Sequence, residues 1–165
     1  ARSSFILEIP GEKKEDIVQT VKFINRLRKY PYFSCGVGTF RPYPKCELTE
    51  ELIKNGYLNE PNNLEEWNSP DVINMYTASE YIRPWQVDGD YSVSAAYYLN
   101  MESSTRLGSN QIERFLDRMK NEIYIKIAKY RNRFNFYRFP IDRDMYKQFL
   151  ENHYKRLGEL DKKNS

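Results

Sequence analysis

Apolar side chains recur at three- and four-residue steps along much of this chain, and those steps predict its helices. Between Glu12 and Tyr30, Ile17, Val18, Val21, Ile24 and Leu27 share one helical face. Glu12, Glu15 and Asp16 fall near its start and Lys22, Arg26, Arg28 and Lys29 in its later turns, as the helix dipole favours. Gln111 to Phe134 repeats the period through Ile112, Leu116, Met119, Ile123, Ile127, Tyr130 and Phe134. Asn110 is its expected N-cap, with Glu113 as capping-box partner. Asp142 to about Leu157 predicts a last helix with Met145, Phe149 and Leu150 on its apolar side, and Lys162–Ser165 is expected to fray.

Two segments read instead as strands. Residues 4–9 are apolar and β-branched, and Pro10-Gly11 stops them. Pro31 ends the preceding helix, and Tyr32–Phe40 alternates Phe33, Cys35, Val37 and Thr39 on one face with Ser34, Gly36, Gly38 and Phe40 on the other. The bare glycine face admits either a close approach to the backbone or a bulky neighbour that fills the space. Strand, helix and strand in this order form a βαβ unit, so the sheet should be parallel with a right-handed crossover.

Pro42-Tyr43-Pro44 is a stiff extended loop. A short helix over Glu47–Asn55 closes at Gly56, and Asn59–Pro70 is a polar, turn-rich connector. A short helix is expected around Val72–Tyr81, in a segment that Pro84 interrupts, and Tyr91–Leu99 favours helix over strand. Two strand–helix units are too few to close a parallel sheet, which leads to the expectation that further strands lie upstream of Ala1.

Composition narrows the picture modestly. The 165 residues suffice for one core, and a charged fraction of 30% is ordinary for a soluble protein. Fourteen tyrosines are many, which predicts wet pockets or interfaces as well as core. A net charge of +3 does not by itself argue for nucleic acid, and no apolar run reaches the ~18 residues that span a bilayer. Cys35 and Cys46 cannot form a cysteine-only metal site, so reduced thiols and a cytoplasmic location are the expectation.

Phe5-Ile6-Leu7-Glu8-Ile9-Pro10-Gly11-Glu12, the helix with Asp16-Ile17 and Thr20, then Phe40-Arg41-Pro42-Tyr43-Pro44 with Glu47-Leu48, Gly56 and Leu64-Glu65-Glu66-Trp67 carry a resemblance. Together they resemble the last part of a radical S-adenosylmethionine protein, nearest the group with an N-terminal cobalamin-binding domain. The resemblance is good over residues 3–68. It implies an α/β fold in which residues 1–56 end a partial (β/α)6 barrel, followed by a mainly helical extension over residues 57–165. It also implies an iron–sulfur enzyme, with cobalamin-dependent methyl transfer or rearrangement among its reactions, to which this chain contributes two strands and a substrate-side lid. The [4Fe–4S] cluster, S-adenosylmethionine and cobalamin would belong to the whole protein. The three-cysteine cluster motif is absent, so this chain alone should hold no cofactor and be inactive. Its partners would be the rest of the barrel, the cobalamin-binding domain and a small-molecule substrate. Glu8 stands where the family usually has glycine, and Lys45-Cys46 replaces the usual Gly-Thr.

The carboxyl ends of barrel strands form the working face, which selects Glu8, Pro10, Gly11, Glu12 and Phe40–Cys46 without reference to any family. The resemblance implies that Ile6, Glu8, Ile9 and Pro10 border the adenosyl group. On the substrate side, Arg41 offers a guanidinium fork for a carboxylate or phosphate, and Tyr43 and Cys46 share its loop. Glu8 reads as a ligand contact or, in preference, as a barrel-interior salt bridge or an outward-facing end residue. No residue stands out as catalytic or metal-binding: Cys46 lacks a neighbouring base, and His153 lacks a partner in sequence. Trp67 and Trp85 lie on connectors, placed to pack on the barrel or line a pocket. Lys120–Lys147 interleaves eight Lys and Arg with aromatics that include Tyr124, Tyr130, Phe134, Phe136 and Tyr137, which keeps open both a docking surface and RNA contact. A stand-alone α/β interaction module is the competing reading, and an RNA-contacting accessory domain a further one.

Overall fold

Residues 34–39 pair in parallel with residues 2–7, from Arg2 opposite Ser34 to Leu7 opposite Thr39. This computed structural model describes residues 1–77, 82–86, 88–104 and 115–164. Its elements run β1 (Arg2–Leu7), α1 (Lys14–Leu27), β2 (Ser34–Thr39), α2 (Glu47–Lys54), α3 (Leu64–Trp67), α4 (Pro70–Thr77), α5 (Gly89–Ser104), α6 (Phe115–Phe134) and α7 (Ile141–Asn164). The chain is thus mixed α/β and mostly helical, with one two-stranded parallel sheet among the described residues.

Local chemistry explains the boundaries. α1 begins after Lys13, whose amide donates to the Asp16 carboxylate at 3.0 Å, and it buries Ile17, Val21 and Ile24. α2 ends in a Schellman arrangement. Gly56, at φ 74°, donates to the carbonyl of Ile53 and Tyr57 to that of Leu52, which satisfies the carbonyls a helix end leaves open.

Several expectations shift. β1 starts two residues earlier and stops at Leu7, because Glu8 turns left-handed at φ 69°. Tyr32 also has positive φ and stands outside β2, exposed to solvent. α3 lies inside the expected connector, capped by the Asn63 side chain, which accepts from the Glu66 amide. α4 covers Pro70–Thr77, whereas the rest of the helix expected to Tyr81 lies outside the described residues. The same holds for the start of the helix expected from Gln111, with its Asn110 and Glu113 cap. α7 continues past Leu157 to Asn164, so the backbone expected to fray up to that residue is helical.

One face of the sheet is core. Leu7, Cys35 and Val37 pack with Ile17, Val21 and Ile24 of α1, with Tyr91, Ala95, Ala96, Tyr98 and Leu99 of α5, and with Ala128 and Tyr137. This cluster draws on both residues 1–56 and residues 57–165. Tyrosine supplies area and polar tips here: Tyr98 Oη donates to Asp142 at 3.0 Å and Tyr137 Oη to Asn132 at 2.9 Å. Burial pushes both hydroxyls well above the usual tyrosine range.

The other face is bare. Ile6 is 56% exposed, no atom outside its own neighbourhood lies within 4 Å of a Cβ built on Gly36, and one on Gly38 would meet only the Phe5 carbonyl, at 4.0 Å. Among the described residues no bulky side chain fills the glycine face. Parallel sheets normally bury both faces, so this one is covered on one side only.

Candidate functional site at the strand ends

Peptide groups in a parallel strand point alternately toward and away from the neighbour. Ser34 donates to the carbonyl of Ala1 and Phe40 to that of Leu7, so the odd residues of β1 face β2. Arg2, Ser4, Ile6 and Glu8 therefore present their peptides to the outer edge. At Glu8 that edge is capped by side chains. Its amide donates to Glu12 Oε2 at 2.5 Å, and its carbonyl accepts from Trp85 Nε1 at 3.0 Å.

The Ile9-Pro10-Gly11-Glu12 turn makes this capping geometric. The Glu12 amide donates to the Ile9 carbonyl at 2.9 Å, Pro10 fixes the first central position, and Gly11 takes the second at φ 84°. This type II turn returns the Glu12 carboxylate to the Glu8 amide. Burial raises the Glu12 carboxyl above its ordinary range, and the Glu8 and Ile9 amides pull it back.

The Glu8 carboxylate lies under Arg83. Nη1 of Arg83 donates to Oε2 at 2.6 Å, and both side chains are fully buried. The Arg83 amide and Gln86 Oε1, 3.0 Å apart, hold the 83–86 segment in a tight turn. Trp85 packs edge-on against Phe40. Burial pushes the Glu8 carboxyl up to about 7, while the Gln86 amide and the Arg83 charge oppose it. Glu8 Oε1 has no hydrogen-bond partner among the described residues. Beside it, Glu8, Glu12, Gln86 and Asp88 help line a small cavity of about 10 Å³, room for about one water. Lys14 closes the rim with a 2.6 Å ion pair to Asp88.

The candidate residues divide accordingly. Ile6 and Ile9 are exposed at the end of β1, Pro10 is half-buried in the turn, and Glu8 is occupied by Arg83. Arg41 and Tyr43 are exposed on the loop after β2, at the same end of the sheet. Cys46 follows as the half-buried N-cap of α2. The Pro44-Lys45 turn, closed by Cys46 N–H to the Tyr43 carbonyl at 3.2 Å, places Lys45 at φ 61°. His153 is buried against Asp117 at 3.2 Å, far along the chain from these groups. Trp67 lines a narrow apolar gap with Ile53, Leu58 and Met75.

Arg83, Gln86 and Asp88 escaped the sequence reading. Only the neighbouring Pro84-Trp85 hinted at a buried turn there.

The residues present do not fit an iron–sulfur cluster. Cys35 is buried in the core and Cys46 caps a helix, and no group of three His, Cys, Asp or Glu among the described residues could hold a metal. No described helix is long and apolar enough to cross a membrane. Comparison with protein-family models, with curated proteins and with solved structures gives no match.

Proposed function

We propose that this chain is the closing part of a radical S-adenosylmethionine barrel of the cobalamin-associated group. In this reading it supplies the last two strands, its 82–86 segment lids the strand ends, and the iron–sulfur cluster is held by other parts of the polypeptide.

The observation that carries the reading is backbone conformation. Five non-glycine residues among those described have positive φ, and Glu8 and Lys45 are two of them. These are the two places where the resemblance expects glycine. A left-handed turn at each position is what glycine would serve, and a non-glycine residue there is strained by roughly 1–2 kcal/mol. In this reading Pro10-Gly11-Glu12 and Pro42-Tyr43-Pro44 are retained, and the flanking Glu8 and Lys45 take up left-handed positions that glycine would otherwise fill. The open outer edge of β1 and the bare Ile6/Gly36/Gly38 face support the same reading, since a further parallel strand and a barrel interior would cover them.

Under this proposal the chain performs no reaction step by itself. Its residues shape the strand ends, bury Glu8 beneath Arg83 and Trp85, and present Arg41 and Tyr43 toward a substrate. Anaerobic iron–sulfide reconstitution tests it. Residues 1–165 alone should bind no iron, and the full polypeptide should form 5′-deoxyadenosine from S-adenosylmethionine on reduction. A stoichiometric cluster on residues 1–165, or no cleavage by the reconstituted full polypeptide, would overturn it.

The open edge also favours a second reading, a stand-alone module that captures an extended segment of another protein by strand addition. In that case a foreign peptide, not the chain's own polypeptide, would cover Ser4 and Ile6.

A further inference from the structure

A groove of about 1200 Å³ runs along the outer surface of α1, bordered by α6. It lies on the second half of α1, whereas Lys14 at the start of that helix marks the end where Glu8 is found. It is therefore separate from the strand-end site. Five exposed cations line it: Lys22 and Arg26 from α1, Lys29 just past its end, and Lys129 and Arg133 from α6. Among the described residues none of the five makes an ion pair. The carboxylate in the lining, Glu102, is neutralised by Arg28 at 2.7 Å and also accepts from Asn132. A net charge of +3 over the chain conceals this local accumulation.

Like charges gathered around one groove without counter-charges repel one another, and a polyanion relieves that repulsion. Aromatic rings accompany the cations. On the α6 side Tyr130 and Phe134 lie outside the groove lining but directly follow Lys129 and Arg133 in the chain; they are 65% and 56% exposed, their rings 4.5 Å apart, and Arg133 lies over the Phe134 ring. On the α1 side Arg26 lies over Phe23. An acidic helix would need aliphatic contacts in the groove, and a lipid surface would need an aliphatic wedge. Among the described residues the apolar part of the lining is Phe5 and Phe23. Alternation of cations with exposed rings suits phosphates joined to stackable bases.

We propose that the α1/α6 groove binds single-stranded nucleic acid, with Lys22, Arg26, Lys29, Lys129 and Arg133 on phosphates and Tyr130 and Phe134 stacking on bases. The inference does not depend on the strand-end reading, and either can fail without the other.

Fluorescence anisotropy with a labelled twelve-nucleotide oligouridylate and the full chain tests it. Binding should weaken with salt along a log–log slope of roughly −3.5, about −0.7 for each phosphate contact. Lys129→Ala should reduce the slope by about 0.7. Tyr130→Ala with Phe134→Ala should weaken binding about tenfold and leave the slope unchanged. All these residues are exposed, and circular dichroism melting checks that the variants fold. Three results would overturn the proposal: oligoglutamate of equal length or phosphatidylserine vesicles bound as tightly as the oligonucleotide, no loss on removing the two rings, or no salt dependence.

Discussion

The side-chain amide of Asn100 bonds both peptide groups of Val37, accepting from its N–H at 2.8 Å and donating to its carbonyl at 2.6 Å. An asparagine on α5, the helix that packs along β2, thus caps the outer edge of β2 at its middle. On β1, among the described residues, the outer edge is capped at Glu8, by Glu12 and Trp85, and no described helix packs along it. The sheet is therefore more open to growth past β1 than past β2.

Asn100→Ala should therefore destabilise the fold by about 1–2 kcal/mol, two hydrogen bonds at a partly solvated edge. Urea unfolding at unchanged m-value checks it. Asn100→Asp, which keeps the acceptor but loses the donor, should fall between the two.

Arg83→Met removes the partner of a buried carboxylate and should cost about 3–5 kcal/mol. Adding Glu8→Gly removes the orphaned charge and suits the positive φ at that position. The double variant should recover at least half of the loss. If it proves less stable than Arg83→Met, the ion pair is not what holds the 82–86 segment.

Stability should also fall as pH rises from about 4.5 to about 7. Glu8 has a folded-state pKa raised to about 7 from the ordinary 4.5, so the folded chain holds that proton longer than the unfolded chain. The resulting stabilisation is complete below the unfolded value and is lost as pH climbs through the folded one. Glu12 is raised in the same direction and adds to the effect. Chemical denaturation between pH 4 and 8 should show this slope, and Glu8→Gln should flatten most of it.

Lys45→Gly should stabilise the chain by about 0.5–1 kcal/mol, relief of left-handed strain less the extra freedom of unfolded glycine. The Lys45 side chain is largely exposed and, among the described residues, pairs with Glu60 at 3.6 Å, a surface contact of little weight. A thermal melt decides the sign. Lys45→Ala, which keeps the strain, should gain nothing.

What the sequence disclosed follows the range of the interactions. α1, α2 and the Gly56 cap rest on contacts within a few residues, and the hydrophobic period and capping residues reveal them. α3 was equally local, since Asn63 with Glu66 three residues on is a cap signature, but the surrounding turn residues masked it. The inward face of β2 was legible from alternation alone. The closure of Glu8 was not. Arg83 lies 75 positions away and Trp85 77, and no periodicity links them to a strand end. The left-handed backbone at Glu8 and Lys45 was hidden for a different reason, because glycine normally marks such turns and here it is missing.

Hydrogen exchange at the Ser4 and Ile6 amides tests the central claim most directly, because these groups face the outer edge of β1. In residues 1–165 alone they should exchange nearly as fast as unstructured peptide, while the Phe5 and Leu7 amides, which face β2, are protected. In the full polypeptide all four should be protected, as a further strand pairs with β1. Protection of Ser4 and Ile6 in residues 1–165 alone, or their free exchange in the full polypeptide, would contradict the account.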